Sequence, residues 1–259
     1  MIKLLKKISK RTKAPRVFSV PENTRVYCVG DIHGREDLLM DLHKMILQDS
    51  SKFLGDKVVV YLGDYIDRGL HSKEVVDLLL NKPLVNFKPI YLRGNHEQVL
   101  LDFLNVDANI AMEWFNFGGQ STLLSYGVSI TGVSFGDKLN LLQQDLADKI
   151  PAEHLSFYTQ LNYSYECGDY FFVHAGVKPK KALKRQSELD MMWIRNEFLA
   201  SNFQFKKMIV HGHSIVDQPE QKDNRIAIDT GAYNSGRLTC LVLEGEQRRF
   251  IQTGGKGSL

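Results

Sequence analysis

Short, continuous apolar runs, each ending in a polar glycine-containing turn and followed by residues at helical spacing, set the rhythm of this chain. The first covers residues 25–29, and behind it Leu38, Leu39, Leu42, Met45 and Ile46 fall on one helical face. The second, 57–62, is almost wholly apolar, as a strand covered on both faces of its sheet requires. A helix capped by Ser72 is expected next, with Val75, Val76, Leu79 and Leu80 turned inward. Residues 89–92 supply a third strand, so the chain opens as a series of β-loop-α units.

From 98 to 161 the pattern loosens into helical pieces around Trp114-Phe115-Asn116-Phe117-Gly118-Gly119, with a turn near Tyr126-Gly127. No Pro/Gly/Ser linker flanks this stretch, so it reads as an insertion over the site rather than a separate domain, with its aromatic run in the core. Strand character returns at 170–173 and 208–210. Runs at 225–228, 238–243 and 248–251 are expected to complete a second sheet. The pattern predicts an α/β fold with residues 25–259 in one domain.

Composition narrows the setting. A chain of 259 residues, 43% hydrophobic and 24% charged, has the apolar content of a globular domain with a sizeable core. Three cysteines without a CxxC pair fit a reducing cytoplasm, and Cys28 and Cys240 lie in apolar runs as small buried groups. No stretch is long or apolar enough for a signal peptide or a membrane span, so a cytoplasmic protein is expected. The net charge of +3 is uneven, because seven cations from Lys3 to Arg16 precede the first acid, Glu22. Residues 1–24 therefore read as a basic, flexible tail. Leu4, Leu5 and Ile8 could share a helical face there and make weak contact with an anionic membrane surface, at about 1 kcal/mol per basic residue. The remainder carries a net −4, and no nucleic-acid partner is expected. The basic run 178–185 reads as a solvated loop, with an acidic substrate as the alternative.

The candidate chemistry sits where the runs end. Asp31 and His33, Asp64, Asn95, His174 and His213 each follow a strand-like run, the place where open α/β sheets bind ligands. Singly, each is as easily a turn residue or a hydrogen-bonded core group. Carboxylate, amide and imidazole donors together suit Mn²⁺, Fe or Zn²⁺ better than Ca²⁺ or a thiolate-seeking metal. Six candidates exceed one tetrahedral shell and suit two ions bridged by a carboxylate, about 3.5–4 Å apart.

Gly30-Asp31-Ile32-His33-Gly34, Gly63-Asp64-Tyr65-Ile66-Asp67-Arg68-Gly69, Gly94-Asn95-His96-Glu97, His174-Ala175-Gly176 and Gly212-His213 resemble, in that order, the motif series of the calcineurin-like metallophosphoesterases. The Asp-Tyr-Ile-Asp-Arg-Gly and Gly-Asn-His-Glu forms are similar to PPP-type serine/threonine protein phosphatases, especially small bacterial and phage members. Ile215 stands where other branches carry a further histidine. The resemblance implies a four-layer α/β/β/α sandwich of two mixed sheets and a site with two divalent metals, Mn²⁺ first among them. It implies that Asp31 and His33 hold one metal, Asp64 bridges, and Asn95, His174 and His213 hold the other. Water activated by the metals would attack phosphorus in line. Arg68, Asn95 and Arg195 would bind the phosphoryl group, and His96, oriented by Asp67, would protonate the leaving alkoxide. Phosphorylated proteins or peptides are the implied substrates.

Rival chemistries fare worse. A cysteine phosphatase needs five residues between Cys and Arg, whereas six separate Cys28 from Arg35, and no Asp-x-Asp pair serves an aspartyl-phosphate enzyme. Gly132-Val133-Ser134-Phe135-Gly136 fits a serine-hydrolase elbow, but its preceding run, 128–131, is short and half polar. Two readings stay open beside the phosphatase: a symmetric dinucleoside tetraphosphate hydrolase, which shares the motif series, and a degenerate scaffold that only binds phosphoproteins.

Overall fold

A computed structural model of the chain describes residues 16–130 and 137–254. Two five-stranded mixed sheets lie face to face. The first joins β1 (Thr24–Val29), β2 (Asp56–Tyr61) and β3 (Lys88–Tyr91) in parallel. The second joins β4 (Ser164–Cys167), β5 (Tyr170–Val173), β6 (Met208–His211), β7 (Glu220–Gln221) and β8 (Arg225–Ala227) in the order β4-β5-β6-β8-β7, with β5, β6 and β8 parallel and both edges antiparallel.

Residue alternation explains the layers. Val26, Cys28, Val58 and Val60 point between the sheets, meeting Tyr170, Phe172, Met208 and Val210 in one apolar layer. Their neighbours Tyr27, Val29, Val59 and Tyr61 face outward onto helices, and Phe171, Val173 and Ile209 do the same on the other sheet. The inner strands β1, β2, β5 and β6 are thus buried on both faces, which is why their sequences are runs rather than alternations. Burying side chains of this size contributes about 1.5–3 kcal/mol each.

The outer layer on the first sheet contains α1 (Glu36–Ser50), α2 (Ser72–Asn81), α3 (Asn95–Asn105), α4 (Ala111–Asn116), α5 (Gly119–Ser125), α6 (Asp137–Lys149) and α7 (Ala152–Thr159). Their apolar faces share a cluster with β1 and β2, to which Trp114, Tyr126 and Phe157 belong. The second sheet is covered by α8 (Glu188–Trp193) and α9 (Asn196–Leu199), and α10 (Ala232–Ser235) closes the turn before the last strands.

Several expectations change. The last two strands, β9 (Thr239–Glu244) and β10 (Gln247–Gln252), join the first sheet, in the order β10-β9-β1-β2-β3, and not the second. Alternation shows that a strand is buried but not which edge it pairs with. Here the antiparallel register Arg25↔Glu244 lets the Arg25 Nε donate to the Glu244 carboxylate at 2.8 Å. The short polar strands β4 and β7 lacked an apolar signal because they are edges. Ser72 does not cap α2; His71 holds that position, and the Ser72 Oγ accepts the backbone N–H of Asp67 at 3.1 Å. Residues 18–20 are not part of a free tail: Phe18 and Val20 are buried between the sheets, and the Val20 N–H donates to the Gly245 carbonyl at 3.1 Å. Leu4, Leu5 and Ile8 lie outside the described residues, as does the segment 132–136. No helix among the described residues is long and apolar enough to cross a membrane.

Candidate metal centre and active site

The loops leaving β1, β2, β5 and β6 meet the start of α3 at one end of the sandwich. The backbone there is strained into position. His33, Asp64, Asp67, Arg68 and His213 all have positive φ, between 48° and 71°. Left-handed backbone costs a non-glycine residue on the order of 1–2 kcal/mol. Two glycines make room for carboxylates: a Cβ on Gly94 would stand 2.0 Å from Asp64 Oδ1, and one on Gly212 2.0 Å from Asp31 Oδ1.

Asp64 is the meeting point. Its Oδ2 lies 3.5 Å from His33 Nε2 and 3.7 Å from His96 Nε2, and its Oδ1 lies 3.3 Å from His174 Nε2. Two buried groups with metal-ligand spacing result, His33-Asp64-His96 and Asp64-His174-His213, and Asp64 belongs to both. Asn95 joins the second through its Oδ1, 3.0 Å from His174 Nε2, which is also 3.2 Å from His213 Nδ1. Asp31 stands beside these groups, not inside either; its Oδ2 accepts the His213 N–H at 2.9 Å, and its Oδ1 has no hydrogen-bond partner among the described residues.

The donor set fits a cation. His33 Nδ1 lies 2.8 Å from the Ile66 carbonyl and His174 Nδ1 3.0 Å from that of Leu62. A carbonyl only accepts, so each Nδ1 carries the hydrogen and each Nε2 turns a lone pair toward Asp64. Burial, helped by neighbouring imidazoles, lowers the pKa values of His33 and His213, and burial lowers that of His174. The Asp64 pKa is lowered against its burial by the charge the surrounding imidazoles carry when protonated, His174 and His96 foremost. Lone pairs of Asn95, His174 and Asp64 therefore crowd together without a shared proton, and His213 Nε2 and Asp31 Oδ1 are buried without hydrogen-bond partners among the described residues. Burial, then the charges of Asp229 and Asp64, push the Asp31 pKa up, a balance that a divalent cation reverses.

His96 is both close to this cluster and differently supported. Its Nδ1 lies 2.6 Å from Asp67 Oδ2. That carboxylate is fully buried and also accepts from Trp114 Nε1 at 2.8 Å and from Thr122 Oγ1 at 2.6 Å. Burial would lower the His96 pKa, but Asp64 and the bond to Asp67 outweigh it and raise it to about 9. Beside it, Arg68 lays its guanidinium 4.6 Å from the ring centre of Tyr233, and the exposed Arg195 donates Nη1 to the His213 carbonyl at 3.3 Å.

Sequence reasoning overlooked the supports. Glu97, quoted in a motif but given no role, accepts the backbone N–H groups of Asp64, Tyr65 and Gly94 at 2.8–2.9 Å. Trp114, expected as plain core, is in the core and also hydrogen-bonds the catalytic candidate Asp67, while Phe117 packs against the same core half-buried, 5.9 Å from His96 and 6.0 Å from Trp193 by ring centres. Thr122, Asp229 and Tyr233 had no motif signal. Polar residues in otherwise apolar helical pieces, such as Thr122, were the available hint. His211 turns away from the cluster, its Nδ1 3.1 Å from the Gly212 carbonyl, and His43 and His154 bond tyrosines in the helical layer.

A sandwich of two mixed sheets brings buried aspartate and histidine donors together at one end, the donor set of a metal-binding site. The calcineurin-like phosphoesterase family profile matches residues 24–233, and the chain belongs to that family. It is a hydrolase acting on phosphoric esters. It is 29% identical over 224 residues to serine/threonine-protein phosphatase 2 of Escherichia coli (strain K12), spanning 83% of this chain and 90% of that one. It is 25% identical over 235 residues to the asymmetrical bis(5'-nucleosyl)-tetraphosphatase PrpE of Halalkalibacterium halodurans, spanning 82% and 87%. Among solved structures, a protein assigned as a diadenosine tetraphosphatase superposes with a TM-score of 0.61 at 22% identity, covering 92% of this chain and 98% of that one.

Proposed function

We propose that this chain is a metal-dependent phosphomonoesterase that removes phosphate from phosphoserine and phosphothreonine in proteins. The observation that carries the reading is the buried Asp67–His96 couple, 2.6 Å apart, whose outer nitrogen lies 3.7 Å from Asp64. A serine or threonine alkoxide leaves slowly unless protonated, whereas a nucleoside polyphosphate leaves as a stable anion. An oriented acid is therefore worth most on a phosphomonoester.

Asp31, His33 and Asp64 would hold one divalent cation and Asp64, Asn95, His174 and His213 a second, Mn²⁺ being our choice from the mixed oxygen and imidazole set. When bound, such ions supply a nucleophile from water and neutralise phosphoryl charge. The chain's own residues do the rest. Arg68 and Arg195 hold phosphoryl oxygens through planar donors, which lysine cannot match. His96 Nε2 gives its proton to the departing oxygen, and Asp67, fixed by Trp114 and Thr122, keeps the imidazole oriented. No side-chain nucleophile is required.

Hydrolysis of dinucleoside tetraphosphates is the second reading. The PrpE relatives favour it, as do the rings of Tyr233, Phe117 and Trp193 around the centre, on which a base could stack. Those relatives are named as asymmetrical enzymes, so the symmetric cleavage expected at first has less support. Metal-stripped protein reloaded with Mn²⁺ is to be assayed in parallel on phosphoserine, phosphothreonine and phosphotyrosine peptides, diadenosine tetraphosphate and a phosphodiester. A higher kcat/KM on the phosphoserine and phosphothreonine peptides supports the proposal; a higher value on diadenosine tetraphosphate sinks it.

A further inference from the structure

Between Gly176 and Glu188 the chain carries Lys178, Lys180, Lys181, Lys184 and Arg185 and no acid. Outside these five and the seven cations of residues 1–16, 21 Lys and Arg face 30 Asp and Glu, a net charge of −9. The loop is thus a positive island on an acidic domain. It is also built rather than loose. The Gln186 side chain accepts the Lys178 N–H at 2.7 Å and donates to the carbonyls of Lys178 and Lys181 at 3.1 and 3.0 Å. Leu183 packs into the apolar layer beneath the second sheet.

Its fastenings tie it to the elements that carry Arg195 and Trp193. Lys178 Nζ pairs with Glu197 at 3.6 Å, two residues from Arg195, whose guanidinium reaches the His213 carbonyl. Lys181 Nζ approaches Asp190 at 3.9 Å on α8, the helix that delivers Trp193 to within 6.4 Å of the His213 ring. Lys180, Lys184 and Arg185 are exposed and have no ion-pair partner among the described residues. Three unpaired cations on a loop clamped to the elements bearing Arg195 and Trp193 form a surface for carboxylates.

We infer that the loop 178–185 selects phosphoprotein substrates whose phosphorylated residue is flanked by acidic residues, with Lys180, Lys184 and Arg185 meeting the flanking carboxylates. The inference rests on the phosphoprotein reading proposed above. Exposed ion pairs are individually weak, so three acting together give about a tenfold preference at low salt.

The test uses the full chain with Mn²⁺ and matched phosphothreonine peptides with acidic or neutral flanks. Wild-type protein is expected to favour the acidic peptide in kcat/KM by about tenfold, a ratio that falls toward one at 1 M salt, where screening acts within about 3 Å. The neutral variant Lys180→Gln/Lys184→Gln/Arg185→Gln should bring the ratio near one, and the reversal to Glu at the same positions should invert it, with p-nitrophenyl phosphate turnover unchanged in both. Equal use of the two peptides by wild type, or a preference that survives both variants, overturns the inference. A second arm does not depend on phosphopeptide turnover: an unphosphorylated poly-glutamate peptide should competitively inhibit p-nitrophenyl phosphate hydrolysis by wild type but not by the Glu variant. If no phosphopeptide is hydrolysed, the phosphoprotein reading fails, and this arm alone decides the loop: inhibition lost in the variant upholds an acid-binding role, and no inhibition of wild type refutes it.

Discussion

Replacing Asp67 by Asn separates the acid couple from the metal ligands. The amide has the same shape, so its oxygen can keep the bonds from His96 and Trp114, while Thr122 Oγ1 can turn to accept from the new amide nitrogen. What vanishes is the negative charge that, with Asp64, raises the His96 pKa to about 9 against burial. At neutral pH the imidazole then spends less time as an acid, and less charge stabilises it in the transition state. General acid catalysis contributes about 10²–10⁴-fold, so kcat on a phosphoserine peptide should fall by roughly 100-fold. On p-nitrophenyl phosphate, whose leaving group departs without a proton, the fall should stay within about threefold. The informative assay is a series of aryl and alkyl phosphates of rising leaving-group basicity, with log kcat plotted against basicity for wild type, Asp67→Asn and His96→Asn. Wild type should give a shallow slope and both variants a steep one, with metal content per chain unchanged. Parallel lines for the three proteins would refute an acid role for His96 and leave Asp67 as a structural carboxylate.

Three other outcomes follow from the geometry. Gly94→Ala should fold yet lose metal and more than about 100-fold in kcat/KM, since its Cβ would meet Asp64 Oδ1 at 2.0 Å; full metal occupancy by elemental analysis would contradict this. Glu97→Gln should lower stability by about 2–4 kcal/mol in urea unfolding, because a carboxylate accepting three backbone N–H groups is exchanged for an amide that must turn a donor toward one of them; a loss below about 1 kcal/mol would argue otherwise. His43 lies buried with Nε2 2.8 Å from the Tyr61 hydroxyl, and burial lowers its pKa from 6.5 to about 4. The unfolded chain takes up that proton first, so the stability is present above pH 6.5 and is lost as pH falls toward 4, about 3 kcal/mol in all. His43→Gln should flatten this part of the acid limb, and an equally steep decline in the variant would exclude His43 as its source.

The candidate donors were legible because each chemistry-bearing residue follows an apolar run, and a run buried on both faces fits an inner strand of a covered sheet. The helical periodicities behind β1 and β2 were equally local. The destination of residues 239–252 was not local: a strand's alternation is the same whichever sheet it joins, and the free edge of β1 decided it. Edge strands such as Glu220–Gln221 left no trace because half their surface is wet.

What the chain of letters determined by itself is therefore the set of elements and the donors at their ends, since hydrophobic period and strand termini depend on neighbouring residues. Only the tertiary structure decided that Asp64 belongs to two groups of donors while Asp31 stands apart, and that Trp114, Thr122 and Glu97 hydrogen-bond the candidate site in place. Those partnerships join residues more than 30 positions apart, as Asp64 and Glu97 are, or more than 50, as Asp67 and Thr122 are. They depend on how sheets and helices pack, which no local pattern encodes.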